Sequence, residues 1–106
     1  MLILTTTGAK SGQPHTTPLA YLPDGDRMII IASAAGAPKH PAWYHNLVAH
    51  PQASVEVGTE TFEVTASVTT GEERERLWAK TIEQLPGFAE YQTKTTRQIP
   101  VILLQR

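Results

Sequence analysis

Met28-Ile29-Ile30-Ile31-Ala32 runs for five residues without a polar side chain. Successive residues of a strand point to opposite faces, so a strand with one wet face alternates apolar and polar. This one does not alternate. It reads as a strand covered on both sides, and the fold must therefore lay a second layer over its sheet.

The rest of the chain supplies further strands and the candidates for that layer. Leu2–Thr6 is a β-prone run ended by the turn Gly8-Ala9-Lys10-Ser11-Gly12. Thr16–Leu22 resumes as a strand and is stopped by Pro23-Asp24-Gly25-Asp26. A helix is predicted from about Pro41 to Ala49, where proline's missing N–H costs nothing, and Pro51 ends it. Ala53–Val57 and Thr61–Val68 form a hairpin across Gly58-Thr59, with glycine placed for a type II′ turn. In the second of these strands Phe62, Val64, Ala66 and Val68 alternate with polar residues, so one face is buried.

Thr70 and Glu73 have capping-box spacing at the start of a helix over Gly71–Leu85. Its inward stripe is Leu77, Trp78, Ile82 and Leu85. Pro86-Gly87 breaks it, a short helical piece with Phe88 and Tyr91 follows, and Ile99–Leu104 returns as a last strand. There is no βαβ alternation, which disfavours a doubly wound parallel sheet. The expected fold is mainly β, one domain over residues 1–106: a small six-stranded closed or split barrel with two to three helices.

A length of 106 residues suits one core, and 41% hydrophobic with 18% charged residues is an ordinary globular balance. The absence of cysteine excludes thiol catalysis, disulfides and thiolate metal sites, and fits a reducing cytoplasm. A formal net charge of −1 provides no field to recruit nucleic acid. No apolar run reaches the roughly 18 residues of a membrane span. The start, MLILTTTGAK, has no basic n-region and reads as a strand that begins at once, so neither signal peptide nor anchor is expected.

Chemistry concentrates in Ile31–Asn46, IASAAGAPKHPAWYHN. A strand collapses there into Ala32, Ser33, Ala34, Ala35, Gly36 and Ala37 before the helix that carries Trp43, Tyr44 and Asn46. Small residues let a flat ligand approach the backbone, and the helix start offers free N–H groups to an anion. A plain strand–loop–helix corner accounts for the same residues. The loop Thr7–Gly12 lacks phosphate-loop spacing and precedes a strand, which leaves either a hairpin turn or backbone amides with Lys10 holding a single phosphate.

His40, His45 and His50 step by about 140° on a helix, so they fan out, and no metal site is expected. Ser33 lacks a nucleophile elbow. Trp43, Tyr44, Phe88 and Tyr91 are either core aromatics or a wall for a planar ring.

Three segments together resemble one family along the whole chain: TTTGAKSGQPHTTPLAYLPDGD, IASAAGAPKHPAWYHNLVAHP and GEERERLWAKTIEQLPGFAEYQTKTTRQIPVILL. They are similar to the deazaflavin (coenzyme F420)-dependent nitroreductase-type proteins. That resemblance implies a split β-barrel of the flavin-reductase, FMN-binding kind and an F420 site. It would place Lys10 and Ser11 near the phosphate and His15, Thr16, Thr17 and Pro18 along a strand edge. Ile31, Ala32, Ser33 and Ala34 would lie by the deazaflavin, with Trp43, Tyr44 and Asn46 at the helix start.

The implied reaction is hydride transfer from reduced F420 to an electron-poor small molecule, an activated alkene, quinone or nitro compound. Ser33 would hydrogen-bond the substrate or relay a proton, with Tyr44 or Tyr91 as a second polar contact. Many relatives carry basic residues where this chain has Ala9, His15 and Ala34, and tyrosines where it has Ala20, Leu85 and Phe88. A more apolar pocket and a weaker hold on the acidic cofactor tail are expected. An FMN-dependent reductase and a non-catalytic flavin- or F420-binding module remain as alternatives, and either a monomer or a homodimer is compatible with the chain.

Overall fold

The computed structural model describes residues 1–106. In chain order the elements are β1 (Leu2–Thr7), β2 (Pro14–Leu19), β3 (Leu22–Asp24), β4 (Arg27–Ile31), α1 (Ala42–Ala49), β5 (Gln52–Val57), β6 (Glu60–Val68), α2 (Gly71–Gln84), α3 (Gly87–Thr93) and β7 (Val101–Gln105). All seven strands form one sheet in the order β2-β1-β5-β6-β7-β4-β3, and every pairing is antiparallel.

The two edge strands, β2 and β3, are consecutive in sequence and joined only by Ala20 and Tyr21. A sheet whose opposite edges meet within two residues must curl round on itself. Since the edges are not paired with each other, the barrel is split rather than closed. The strand expected over Thr16–Leu22 is thereby cut in two, and the sheet has seven strands, not six. Its first part pairs with β1 and its second with β4, a switch of partner with no local signal. Pro23 is accommodated because β3 is an edge, where a missing N–H breaks no ladder.

Both two-residue hairpin loops put glycine first at positive φ, Gly25 at 64° and Gly58 at 60°, with no positive φ at the residue after. This is the type II′ geometry expected for Gly58-Thr59. The closing pairs are Asp24 with Arg27 and Val57 with Glu60.

Two apolar clusters explain the aliphatic run. Met28, Ile30 and Ala32 face the barrel interior with Leu2, Leu4, Val55, Val64, Ile102 and Leu104, and α1 adds Trp43 and Leu47. Ile29 and Ile31 face the other way, with Val101, Leu103, Ile99 and Leu77 of α2. The second layer is thus α2 and α3, and the alternation of β4 and β7 is apolar on both phases because both faces are covered. In β6, Val64 is buried as expected and Val68 is exposed.

The buried stripe of α2 is Arg74, Leu77 and Thr81, with Trp78, Ile82 and Leu85 only partly covered. Arg74 is held inside by donating to the carbonyl of Ile99 at 2.6 Å, and the Thr81 hydroxyl donates to the Leu77 carbonyl at 2.8 Å. The capping box does not form: Thr70 makes no side-chain cap. Gly71 takes a positive φ of 61°, which turns the first residue away from the helical path that a reciprocal Thr70–Glu73 pair needs. No helix is long and apolar enough to cross a membrane.

Candidate functional site

A groove of about 720 Å³ opens between the β1–β2 loop, the start of β2 and the first turn of α1. Its shape is built by the loop's own backbone. The Gly8 amide donates to the Gln13 carbonyl at 2.8 Å and the Gly12 amide to the Gly8 carbonyl at 3.0 Å, with Gly12 at φ 71°. A Cβ at Gly8 would overlap Ser11 Oγ and lie 2.9 Å from His15 Nε2, so those two side chains would have to swing aside. Loop and helix are tied by Asn46. Its Oδ1 accepts from the Ala9 amide at 2.9 Å, and its Nδ2 donates to Thr6 Oγ1 at 3.0 Å.

The lining brings together seven of the residues singled out in the sequence: Lys10, Ser11, His15, Thr16, Thr17, Trp43 and Asn46. Gly8, Ala9, Ala42 and His45 complete it. No aspartate or glutamate is among them, and Lys10 and the two histidines are its basic groups. The amides of Ala42 and Trp43 open the helix and have no acceptor within it. A donor-rich wall without carboxylates suits a phosphate and an acidic tail, and the glycine-lined bend lets them come close. The residues present therefore fit coenzyme F420.

The remaining sequence candidates lie elsewhere. Pro18 sits further along β2, exposed and paired with Ile3. The side chain of Ile31 is buried in the outer cluster and that of Ala32 in the barrel interior, so only their backbone can serve a ligand. Tyr91 belongs to the outer cluster, its ring 5.8 Å from Phe88 and edge-on to it. Tyr44 is half-buried against the barrel interior, 4.4 Å from the ring of His40.

Ser33 leads into a left-handed turn that begins at Ala34. Ala34, Ala35 and Gly36 have φ of 47°, 54° and 83° in succession, and each alanine pays on the order of 1 kcal/mol for that region. Ser33 precedes the turn and makes no capping bond with its hydroxyl, while its carbonyl accepts from the Gly36 amide at 2.9 Å. The smallness of Gly36 serves α3 rather than a ligand, since an added Cβ would come within 2.9 Å of the Tyr91 carbonyl and of Lys94 Cβ.

The turn is held from below by Arg97, a residue with no sequence signal. Its Nη1 donates to the Ala32 carbonyl at 3.1 Å, its Nη2 to the Ser33 carbonyl at 2.7 Å and its Nε to the Ala37 carbonyl at 3.0 Å. Nη1 also meets His40 Nδ1 at 3.0 Å. A guanidinium can only donate, so Nδ1 is the acceptor and the ring proton sits on Nε2. Burial, then the Arg97 charge, then His45 push the His40 pKa below its ordinary value. The three-histidine fan is also corrected: His40 lies before α1, so helical spacing does not apply to it, and its ring folds back to 5.8 Å from His45.

Comparison with known proteins shows the family of the chain. A family model described as "F420H(2)-dependent quinone reductase" matches residues 1–106. An F420H(2)-dependent quinone reductase of Mycobacterium tuberculosis is 44% identical over 108 residues, covering 99% of this chain and 72% of the relative. A solved structure titled as an F420-H2 dependent reductase (FDR-A) superposes with a TM-score of 0.89 at 44% identity, covering 98% and 92% of the two chains. Another, titled as a domain-swapped dimer, gives the same TM-score and identity over 98% and 78%. A haem storage protein from Vibrio cholerae shares the fold alone, with a TM-score of 0.66 at 20% identity, covering 98% and 79%. With its split barrel, its carboxylate-free groove and a match along its whole length, the chain belongs to the F420H(2)-dependent quinone reductase family, an oxidoreductase whose cofactor is coenzyme F420.

Proposed function

We propose that this chain reduces quinones, with the phosphate and acidic tail of F420 held in the groove and the deazaflavin laid toward the Ile31–Ala34 loop. The observation that carries the reading is the groove itself. Lys10, Ser11, His15 and the first amides of α1 converge on one space from which every carboxylate is absent. When bound, reduced F420 supplies the hydride.

Lys10 would balance part of the anion's charge, and the His15 ring with the hydroxyls of Ser11, Thr16 and Thr17 would offer hydrogen-bond donors to its oxygens. Trp43 packs one side of the groove and shields it from water. A quinone that accepts a hydride also takes up a proton at oxygen. The hydroxyls of Ser33 and Tyr44 are the groups we assign to hold that oxygen and hand on the proton, with Tyr91 as a further polar contact. The chain is inferred to work in the cytoplasm, with which its lack of cysteine is compatible, and to do so as a monomer or a homodimer.

The test uses the purified chain. F420 and FMN are titrated against tryptophan fluorescence, which Trp43 in the groove wall should report. Menadione is then offered to the complex with F420H2, and oxidation is followed by absorbance. Micromolar F420 binding with turnover is the expected result. Preference for FMN, or F420 binding without turnover, would overturn the reading.

A further inference from the structure

The turn at Ala34–Gly36 strings together three residues in the left-handed region, two of them alanines. Backbone of that kind persists only where its surroundings over-determine it. Here the surroundings are α3, whose Tyr91 carbonyl closes on Gly36, and one side chain that grips the loop. Arg97 engages the carbonyls of Ala32, Ser33 and Ala37 and the ring of His40, and so brackets the turn on both sides. No acidic residue pairs with it, so its donors are committed to the loop.

Arg97 is itself fixed. Gln92 of α3 donates to the Arg97 carbonyl at 2.7 Å and accepts from the Ile99 amide at 3.0 Å. The segment after α3 therefore presents the guanidinium from a braced backbone. A lysine could not replace it, because a single ammonium lacks the planar fork that reaches several carbonyls at once.

We propose that Arg97 is a positioning residue of the reductase site: by gripping Ala32, Ser33, Ala37 and His40 it sets the left-handed turn, and with it the place of the Ser33 hydroxyl beside the ring. This rests on the reading above that the loop lies against the deazaflavin. The groove around Lys10 is built by the β1–β2 loop and α1, which Arg97 reaches only indirectly, through His40 against Tyr44 and His45. Arg97 therefore acts chiefly on the placement of the reacting ring and little on the anchoring of the tail.

The test compares wild type, Arg97→Ala and Arg97→Lys as full chains. Hydrogen exchange by mass spectrometry, without cofactor, reads the loop directly. In Arg97→Ala the peptide over residues 32–40 should exchange at least about tenfold faster while the sheet stays protected, and trypsin should cut sooner after the exposed Lys39. With F420H2 and menadione, kcat should fall about 100-fold. The dissociation constant for F420 should change less than about threefold, because Arg97 meets the groove only through His40 and His45.

Arg97→Lys should keep the thermal midpoint close to wild type yet remain low in kcat, and added guanidinium should restore part of the activity of Arg97→Ala. Unchanged exchange over 32–40 in Arg97→Ala would overturn the proposal. So would a uniform loss of protection across the sheet in both variants, or a kcat in Arg97→Lys equal to wild type. A wild-type chain that does not bind F420 would sink the functional reading instead, while the exchange data still decide whether Arg97 holds the loop.

Discussion

Asn46 on α1 accepts a hydrogen bond from the backbone amide of Ala9 at 2.9 Å and donates through Nδ2 to Thr6 Oγ1 at 3.0 Å. One buried amide thus joins the strand, the loop that follows it and the helix that faces it. Its Oδ1 and one Nδ2 proton are spent inside the protein, so Asn46 shapes the groove more than it offers itself to a ligand.

Replacing it tests that role. Asn46→Ala leaves the Ala9 N–H without its acceptor and should cost about 1–3 kcal/mol of stability by urea denaturation. Asn46→Asp keeps an acceptor toward Ala9, loses the donor toward Thr6 and puts a negative charge into a groove that has none. It should weaken F420 binding about tenfold in a fluorescence titration while the sheet stays folded.

Lys10 is exposed on the groove wall, and Lys10→Ala should raise the F420 dissociation constant about fivefold at low salt. The effect should shrink as salt is added. The deazaflavin with its ribityl chain alone, lacking phosphate and tail, should bind both proteins equally. Equal weakening for both ligands would move Lys10 from the phosphate to the ring.

Much of this architecture was legible in the residues, and the failures share a cause. Met28–Ala32 announced two covered faces, and Gly58-Thr59 announced its hairpin, because both signals are local. The break at Ala20-Tyr21 was not legible, since the chain there exchanges β1 for β4 as partner, and that choice depends on the order of the whole sheet. Lys10, Ser11, His15, Thr16, Thr17, Trp43 and Asn46 were singled out and do line one groove. Arg97 was missed because its partners are carbonyls some 60 residues away in sequence, and a carbonyl carries no residue type. The capping box at Thr70 failed on the conformation of a single glycine between two correct residues.

Gly36 should not tolerate a side chain. An alanine there combines a φ of 83° with contacts of 2.9 Å to the Tyr91 carbonyl and to Lys94 Cβ. Gly36→Ala should lose about 1–3 kcal/mol by urea denaturation. It should also speed hydrogen exchange in α3, because the helix has to back away from the turn.

Acid should act through His40, which faces Arg97, Tyr44 and His45. Its pKa in the folded protein is lowered from 6.5 by burial first, then by Arg97, then by His45. The unfolded chain therefore takes up the proton first. His40 contributes nothing to pH dependence well above 6.5, and its contribution to stability is lost as pH falls from there through the folded-state value. Protonation also removes the acceptor that Nδ1 offers Arg97. The thermal midpoint of wild type should drop between pH 7 and pH 5 by more than that of His40→Gln, and the peptide over residues 32–40 should lose exchange protection in wild type over the same range. Parallel midpoint curves would show that His40 is not the group responsible.

A second acid response, this one from a carboxyl group, belongs to the β3–β4 hairpin. Asp24 accepts from Arg27 at 2.7 Å, from Lys80 at 3.2 Å and from Arg76 at 3.4 Å, which ties the β3–β4 hairpin to α2. The Arg76 hydrogen bond holds its carboxyl well below the usual carboxylate range, with Arg27 and Lys80 adding to it against the opposing effect of burial. A lowered carboxylate pKa stabilises the fold above the unfolded value of 3.8, and the benefit is lost as pH falls below it. At pH 7, Asp24→Asn should therefore lower stability by about 1–2 kcal/mol. Below pH 4 the gap to wild type should narrow as the unfolded chain takes up protons, and it should close only as pH falls through the much lower folded-state value. Activity at pH 7 should be unaffected, since Asp24 is absent from the groove lining. A gap that stays constant from pH 5 down to pH 2 would show that shape, and not charge, is what Asp24 contributes.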